Sequence, residues 1–150
     1  RIPNVHATIV GDGKLREELG RMAIALGVER HVAFAGHQND VQDWLQRAKV
    51  FVLTSDSEGL SLSMMEAMMS GLPAVVSDVG DLADLVENGV NGYLVPRRSP
   101  ELLADRLAEL LSDEAKLASF SQAARQSAMR YETRATNERW NGILAGFRTA

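Results

Sequence analysis

Two glutamates, Glu58 and Glu66, stand eight residues apart in the segment Ser55 to Pro73, SDSEGLSLSMMEAMMSGLP. A carboxylate accepts two hydrogen bonds at once with charge-assisted strength, so it suits the vicinal hydroxyl pairs that sugars and riboses present. Between the two lie Gly59, Leu60, Ser61 and Leu62, leading into a helical pattern at Leu62, Met65 and Met69. The free N–H groups and the dipole at a helix start favour an anionic group there. A plainer reading also fits these residues. Ser63-Met64-Met65-Glu66 has the spacing of a capping box, in which Glu66 would bond back to the first helical amide, and Glu58 beside Gly59 would be a solvated loop charge.

Other polar groups offer less. Gly11-Asp12-Gly13 resembles a phosphate loop, but it lacks the third glycine of a dinucleotide fingerprint and any Gly-Lys-Ser/Thr, so it reads as a tight turn from strand to helix. His6, His31 and His37 have no metal-ligand spacing, and His6 and His31 read as structural or surface residues. Met64, Met65, Met68 and Met69 read as flexible core packing.

The elements that must position the two glutamates follow from periodicity. An apolar run, Val50-Phe51-Val52-Leu53, reads as a buried strand before the segment, and Ala74 to Ser77 as a strand after it, with Gly71-Leu72-Pro73 stopping the helix between them. His6 to Val10, Val32 to Ala35 and Tyr93 to Val95 read as further strands. Leu15, Leu19, Met22 and Leu26 recur at helical spacing until Gly27, and Asp40 caps a helix with Val41, Trp44, Leu45 and Ala48 on its apolar face. Asp81 to Val86 is a short helical stretch. Ser99 as cap and Pro100 at the first position open a helix carrying Leu103, Leu107, Leu110 and Leu111, and the pattern stays helical to about Phe147. Strands separated by helices of this length need crossover connections, which predicts an α/β fold with a parallel sheet. Ligands of such sheets sit at the carboxyl edge of the strands, where the Glu58 loop falls.

Composition narrows the function classes. One hundred and fifty residues, 45% apolar and 24% charged, suit one soluble globular domain, residues 1–150. A formal charge of −4 with scattered basic residues argues against a nucleic-acid partner. The absence of cysteine excludes a disulfide framework and a thiolate site, and fits a reducing, cytoplasmic setting. No apolar run approaches the ~20 residues of a membrane span.

Taken in order, several segments together resemble the C-terminal, donor-binding half of GT-B glycosyltransferases, most closely glycosyltransferase family 4 within the group 1 enzymes. They are Gly11-Asp12-Gly13 with Leu15 and Leu19, Leu26-Gly27-Val28, Val32 to Gly36, Asp40-Val41, Ala48 to Leu53, Ser55, Glu58-Gly59, Glu66-Ala67-Met68, Gly71-Leu72-Pro73 and Val79-Gly80. The resemblance implies a Rossmann-like parallel sheet with helices on both faces and a helical C-terminus. It also implies retaining transfer of a sugar from a nucleotide-sugar donor, UDP- or GDP-linked, with no metal or other cofactor required. By position Glu66 inherits contact with the ribose and Glu58 contact with the transferred hexose, while the amides of Gly59, Leu60, Ser61 and Leu62 face the diphosphate. His37 and Gln38, after the second strand, fall near the donor base. A nucleotide-sugar epimerase or phosphorylase on the same fold, or a non-catalytic nucleotide-sugar-binding module, are the alternatives. The acceptor would be a glycan or lipid-linked glycan, held by a domain outside this chain that could also associate with a membrane.

Three segments depart from the pattern. Leu60-Ser61-Leu62-Ser63 replaces the frequent Phe-Gly-Leu-Pro, and Gly80-Asp81 followed by Asp84 replaces a Gly-Gly pair followed by glutamate. A strand with Gly-Arg and a helix with Lys-Gly, which clamp the diphosphate in the family, would precede Arg1. Together with a start that is neither Met nor a signal peptide, this predicts a piece of a longer protein. The family's strand order, 3-2-1-4-5-6, would place the lost strand inside the sheet, to be supplied by a missing segment or a second chain, unless the sheet rearranges.

Overall fold

The computed structural model describes residues 4–130, and the chain divides into two compact units, one ending at Trp44 and the other beginning at Leu45. In the first unit, β1 (Ala7–Val10) runs parallel to β2 (Val32–Gly36), with α1 (Arg16–Ala25) as the crossover. The register runs from Ala7 opposite Val32 to Ile9 opposite Phe34, then slips so that Val10 faces Gly36. Gly36 has φ +71°, a conformation that lets the strand bend there. Gly11-Asp12-Gly13 forms the expected turn, with the Asp12 side chain accepting the Gly13 amide at 2.8 Å. Gly27 closes α1: its amide donates to Ile24 and that of Val28 to Ala23, the paired bonds of a Schellman motif. Of α1 only Ala23 is buried, and Leu15, Met22, Ile24 and Leu26 are exposed, because a two-stranded sheet offers the helix little apolar surface within this unit.

After β2, α2 (Gln42–Arg47) begins where the Asp40 carboxylate accepts the Gln42 amide, as its sequence predicts. The second unit then holds β3 (Phe51–Leu53), α3 (Leu62–Met69), β4 (Ala74–Ser77), a 3₁₀ turn (Gly80–Asp84), β5 (Gly92–Val95), α4 (Pro100–Ser112) and α5, helical over residues 114–130. Its sheet has the order β3-β4-β5 and is parallel throughout. β4, in the centre, is buried at every position. Its side chains alternate. Ala74 and Val76 join Met64, Met68, Leu82, Leu85, Val86, Ala124 and Ala128 in one apolar cluster, whereas Val75 joins Tyr93, Val95, Leu110 and Phe120 in another. Alternate residues of one strand point to opposite faces, so helices cover both faces of this sheet.

Three local expectations are corrected. The run Val50 to Leu53 is not a buried strand: β3 pairs only with β4 in its sheet, and Val52 stays 41% exposed. Ser99 occupies the position before Pro100, but its side chain makes no capping bond; the hydroxyl instead donates to the Arg97 carbonyl at 3.4 Å. Of the four methionines, Met64 and Met68 are fully buried and Met65 partly so, while Met69 lies at the surface. The part of the expected C-terminal helix beyond Arg130 lies outside the described residues.

Candidate functional site

The helix that carries Glu66 starts two residues earlier than the capping box Ser63-Met64-Met65-Glu66 requires. Ser61, with extended backbone, is the cap, and its hydroxyl accepts the Met64 amide at 3.3 Å; Ser63 is already helical, and its hydroxyl lies 3.0 Å from that of Ser61. Glu66 is therefore fifth in the helix and cannot bond back to its first amide. The buried face of α3 is Met64, Ala67 and Met68, at the spacing of one helical stripe, which turns Glu66 toward solvent. Its carboxylate has no hydrogen bond or ion pair among the described residues. Gly71, at φ +86°, ends the helix in a second Schellman motif: its amide donates to Met68 and that of Leu72 to Ala67, each at 2.9 Å.

The loop from β3 to α3 makes no turn bonds of its own. The amides of residues 59–63 donate to no other described group, which leaves a run of N–H donors between the two glutamates. Glu58 is half-buried, and its Oε1 accepts the Ser55 hydroxyl at 3.0 Å. The loop is held from outside. A Cβ added to Gly80 would overlap the Glu58 carbonyl, so that glycine, at φ +53°, gives the close approach of the loop after β4. From the loop after β5, Arg98 grips Asp56 through both carboxylate oxygens, at 3.1 and 2.8 Å, and Arg97 donates to the Asp56 carbonyl at 3.0 Å. The Arg98 guanidinium holds the Asp56 carboxyl below the usual range, and the Asp56 charge in turn raises Arg98. All three loops leave the carboxyl ends of parallel strands, the edge at which α/β sheets bind ligands.

Glu58, Gly59, Leu60, Ser61, Leu62 and Glu66 thus lie on one stretch of the second unit. His37 and Gln38 belong to the first, at the carboxyl end of β2, where His37 is exposed and the Gln38 side chain donates to the Ala35 carbonyl at 2.8 Å. The rings of His6 and His31, both exposed, lie 5.2 Å apart between centres and tilted by 34°, and His31 Nδ1 lies 3.2 Å from the Val5 carbonyl, in keeping with the reading as structural or surface residues. Among the described residues no group of three His, Asp or Glu is gathered as a metal site. Sequence reasoning passes over Asp56, Arg97 and Arg98. The pair Asp56 and Arg98 is 42 positions apart, and the one local signal, two arginines directly before Ser99-Pro100, does not name a partner.

Carboxylates and free amides gathered at the carboxyl edge of a parallel α/β sheet stand where such folds bind their ligands. The family model for glycosyl transferases group 1 matches residues 1–127, and the chain belongs to that family. It is similar to the poly(ribitol-phosphate) α-N-acetylglucosaminyltransferase of Staphylococcus aureus, at 32% identity over 91% of this chain and 28% of that protein. Among solved structures it superposes on HepE from Anabaena in complex with UDP, with a TM-score of 0.87 and 28% identity, over 97% of this chain and 42% of that one. It also superposes on the C-terminal domain of a group 1 glycosyl transferase, LpcC, from Francisella tularensis, with a TM-score of 0.78 and 25% identity, over 87% of this chain and 71% of that one. The chain spans less than half the length of the first two. The Rossmann-like C-terminal half of the GT-B fold, expected from the sequence, is the fold observed.

Proposed function

We propose that this chain is the donor-binding domain of a retaining glycosyltransferase of the family 4 type, which transfers a hexose from a UDP- or GDP-sugar to a glycan or lipid-linked acceptor. The observation that carries the reading is the pairing of a solvent-facing, unpartnered Glu66 carboxylate with the free amides of residues 59–63. Glu66 accepts hydrogen bonds from the ribose hydroxyl pair, the amides of Gly59 to Ser63 face the diphosphate, and Glu58 contacts the transferred sugar. As the bond from sugar to diphosphate breaks, negative charge grows on the leaving group, and amides already aimed at it lower the energy of that state. No metal or other cofactor is required in this reading. The UDP held by the related HepE supports a nucleotide donor. His37 and Gln38 are assigned to the base, a domain outside residues 1–150 holds the acceptor, and the reaction takes place in the cytoplasm.

The full-length gene product, supplied with UDP-glucose, UDP-N-acetylglucosamine or GDP-mannose and a lipid-linked glycan fraction, should form a product whose new linkage keeps the donor's anomeric configuration, read by nuclear magnetic resonance. Inversion would refute the retaining assignment, and failure to bind any of the three donors would refute the donor site.

A further inference from the structure

Arg98 combines two features that do not stabilise a fold by themselves. Its backbone lies at φ +57°, a region costly for any side chain larger than glycine, and its side chain is 81% exposed. Exposed ion pairs contribute little to stability. Yet this residue makes the most specific polar contact to the Glu58 loop: a two-pronged grip on Asp56, beside which Arg97 takes the Asp56 carbonyl. A planar guanidinium fixes both distance and orientation in a way a single hydrogen bond does not.

The residues gripped are those that set where Glu58 stands. Asp56 precedes Glu58 by two positions, Ser55 donates to the Glu58 carboxylate, and Gly80 packs against the Glu58 carbonyl. The loop has no backbone turn bonds of its own, so beyond the Ser55–Glu58 bond its geometry depends on the contacts made from outside by Gly80, Arg97 and Arg98. We propose that Arg98, through Asp56, is a positioning residue for Glu58: it holds the carboxylate where the transferred sugar sits and touches no ligand itself. This rests on the reading of Glu58 as the sugar contact given above.

The test compares the affinity of a sugar nucleotide with that of its bare nucleoside diphosphate in the full-length gene product, using whichever of UDP-glucose, UDP-N-acetylglucosamine and GDP-mannose binds most tightly. Arg98→Gly suits φ +57° and deletes only the grip; Asp56→Asn deletes its charge. Each variant should lower sugar-nucleotide affinity or turnover by about tenfold while leaving nucleoside diphosphate affinity within about twofold and the melting temperature unchanged. The double variant should be no worse than either single one, because both remove the same contact. Glu58→Gln is the reference. If it lowers the sugar contribution and Arg98→Gly does not, the positioning role fails while Glu58 keeps its own. If Glu58→Gln has no effect, the reading of Glu58 fails and the positioning role with it. Equal losses for sugar nucleotide and bare diphosphate would show that Arg98 acts on the ligand directly, and unfolding of both Arg98→Gly and Asp56→Asn would show a structural pair; either result overturns the proposal.

Discussion

Glu66 and Glu109 show how differently two carboxylates of one chain can be used. Glu109, on α4, accepts the Tyr93 hydroxyl at 2.7 Å, Arg106 at 2.8 Å and Lys116 at 2.5 Å, and Arg106 also lies over the Tyr93 ring at 4.9 Å. These donors, Lys116 foremost, hold its carboxyl at about 2 rather than the ordinary 4.5. Tyr93, desolvated by burial and donating to Glu109, is raised in turn. The lowered carboxyl means that the unfolded chain binds more protons in acid, so this network's contribution is complete above about pH 4.5 and is lost as pH falls toward about 2. Replacing Glu109 by Gln should therefore lower the melting temperature near neutral pH and narrow the gap to the native protein as the pH falls through that window. Thermal melts at a series of pH values check it. Glu66 has none of these partners, so Glu66→Ala should leave the melting temperature within about 2 °C of the native value while acting on binding. The sequence shows only part of that contrast: Glu109 has Asp105, Arg106 and Asp113 within four positions and Glu66 has no charged residue within seven, but spacing alone does not name the partners that hold Glu109. The cap was equally ambiguous: Ser61 and Ser63 are chemically alike, and the choice between them decides whether Glu66 is tied down or free.

Helix α3 is held by its buried stripe and its two ends. Met68 is fully buried against β4 and α5, so Met68→Ala should cost about 2–5 kcal/mol, measured by denaturant unfolding. Gly80→Ala tests the loops instead. An added Cβ would overlap the Glu58 carbonyl at a left-handed φ, so the variant should lose roughly 1–3 kcal/mol and also displace the Glu58 loop. At this scale the sequence was informative wherever one short run decides the outcome. β4 lies where four apolar or small residues follow Gly71-Leu72-Pro73, and α1 and α3 stop at the glycines expected to stop them. It was less informative where a distant element decides. β3 looks buried as an apolar run, but the strands beside it set its exposure, and Ser99 looks like a cap although its hydroxyl turns to Arg97.

For the molecule as a whole, each unit keeps the strand neighbours that the order 3-2-1-4-5-6 has when its first strand is left out: β1 with β2, and β3-β4-β5. The α/β class, parallel pairing and helices on both faces of the second unit's sheet were legible because connection length and apolar periodicity fix them. The exposure of Ile9 and Val10 on β1 and of Leu15, Met22 and Leu26 beside it was not, since periodicity says which residues share a face and not what covers it. The central claim is that the segment from Glu58 to Glu66 forms a nucleotide-sugar site, with Glu66 on the ribose. Titration calorimetry of the full-length gene product with UDP and GDP, native against Glu66→Ala, tests it most directly. Losing charge-assisted bonds to a hydroxyl pair should weaken the preferred nucleotide by about tenfold to a hundredfold with the fold intact. Unchanged affinity in a folded Glu66→Ala protein would contradict the account.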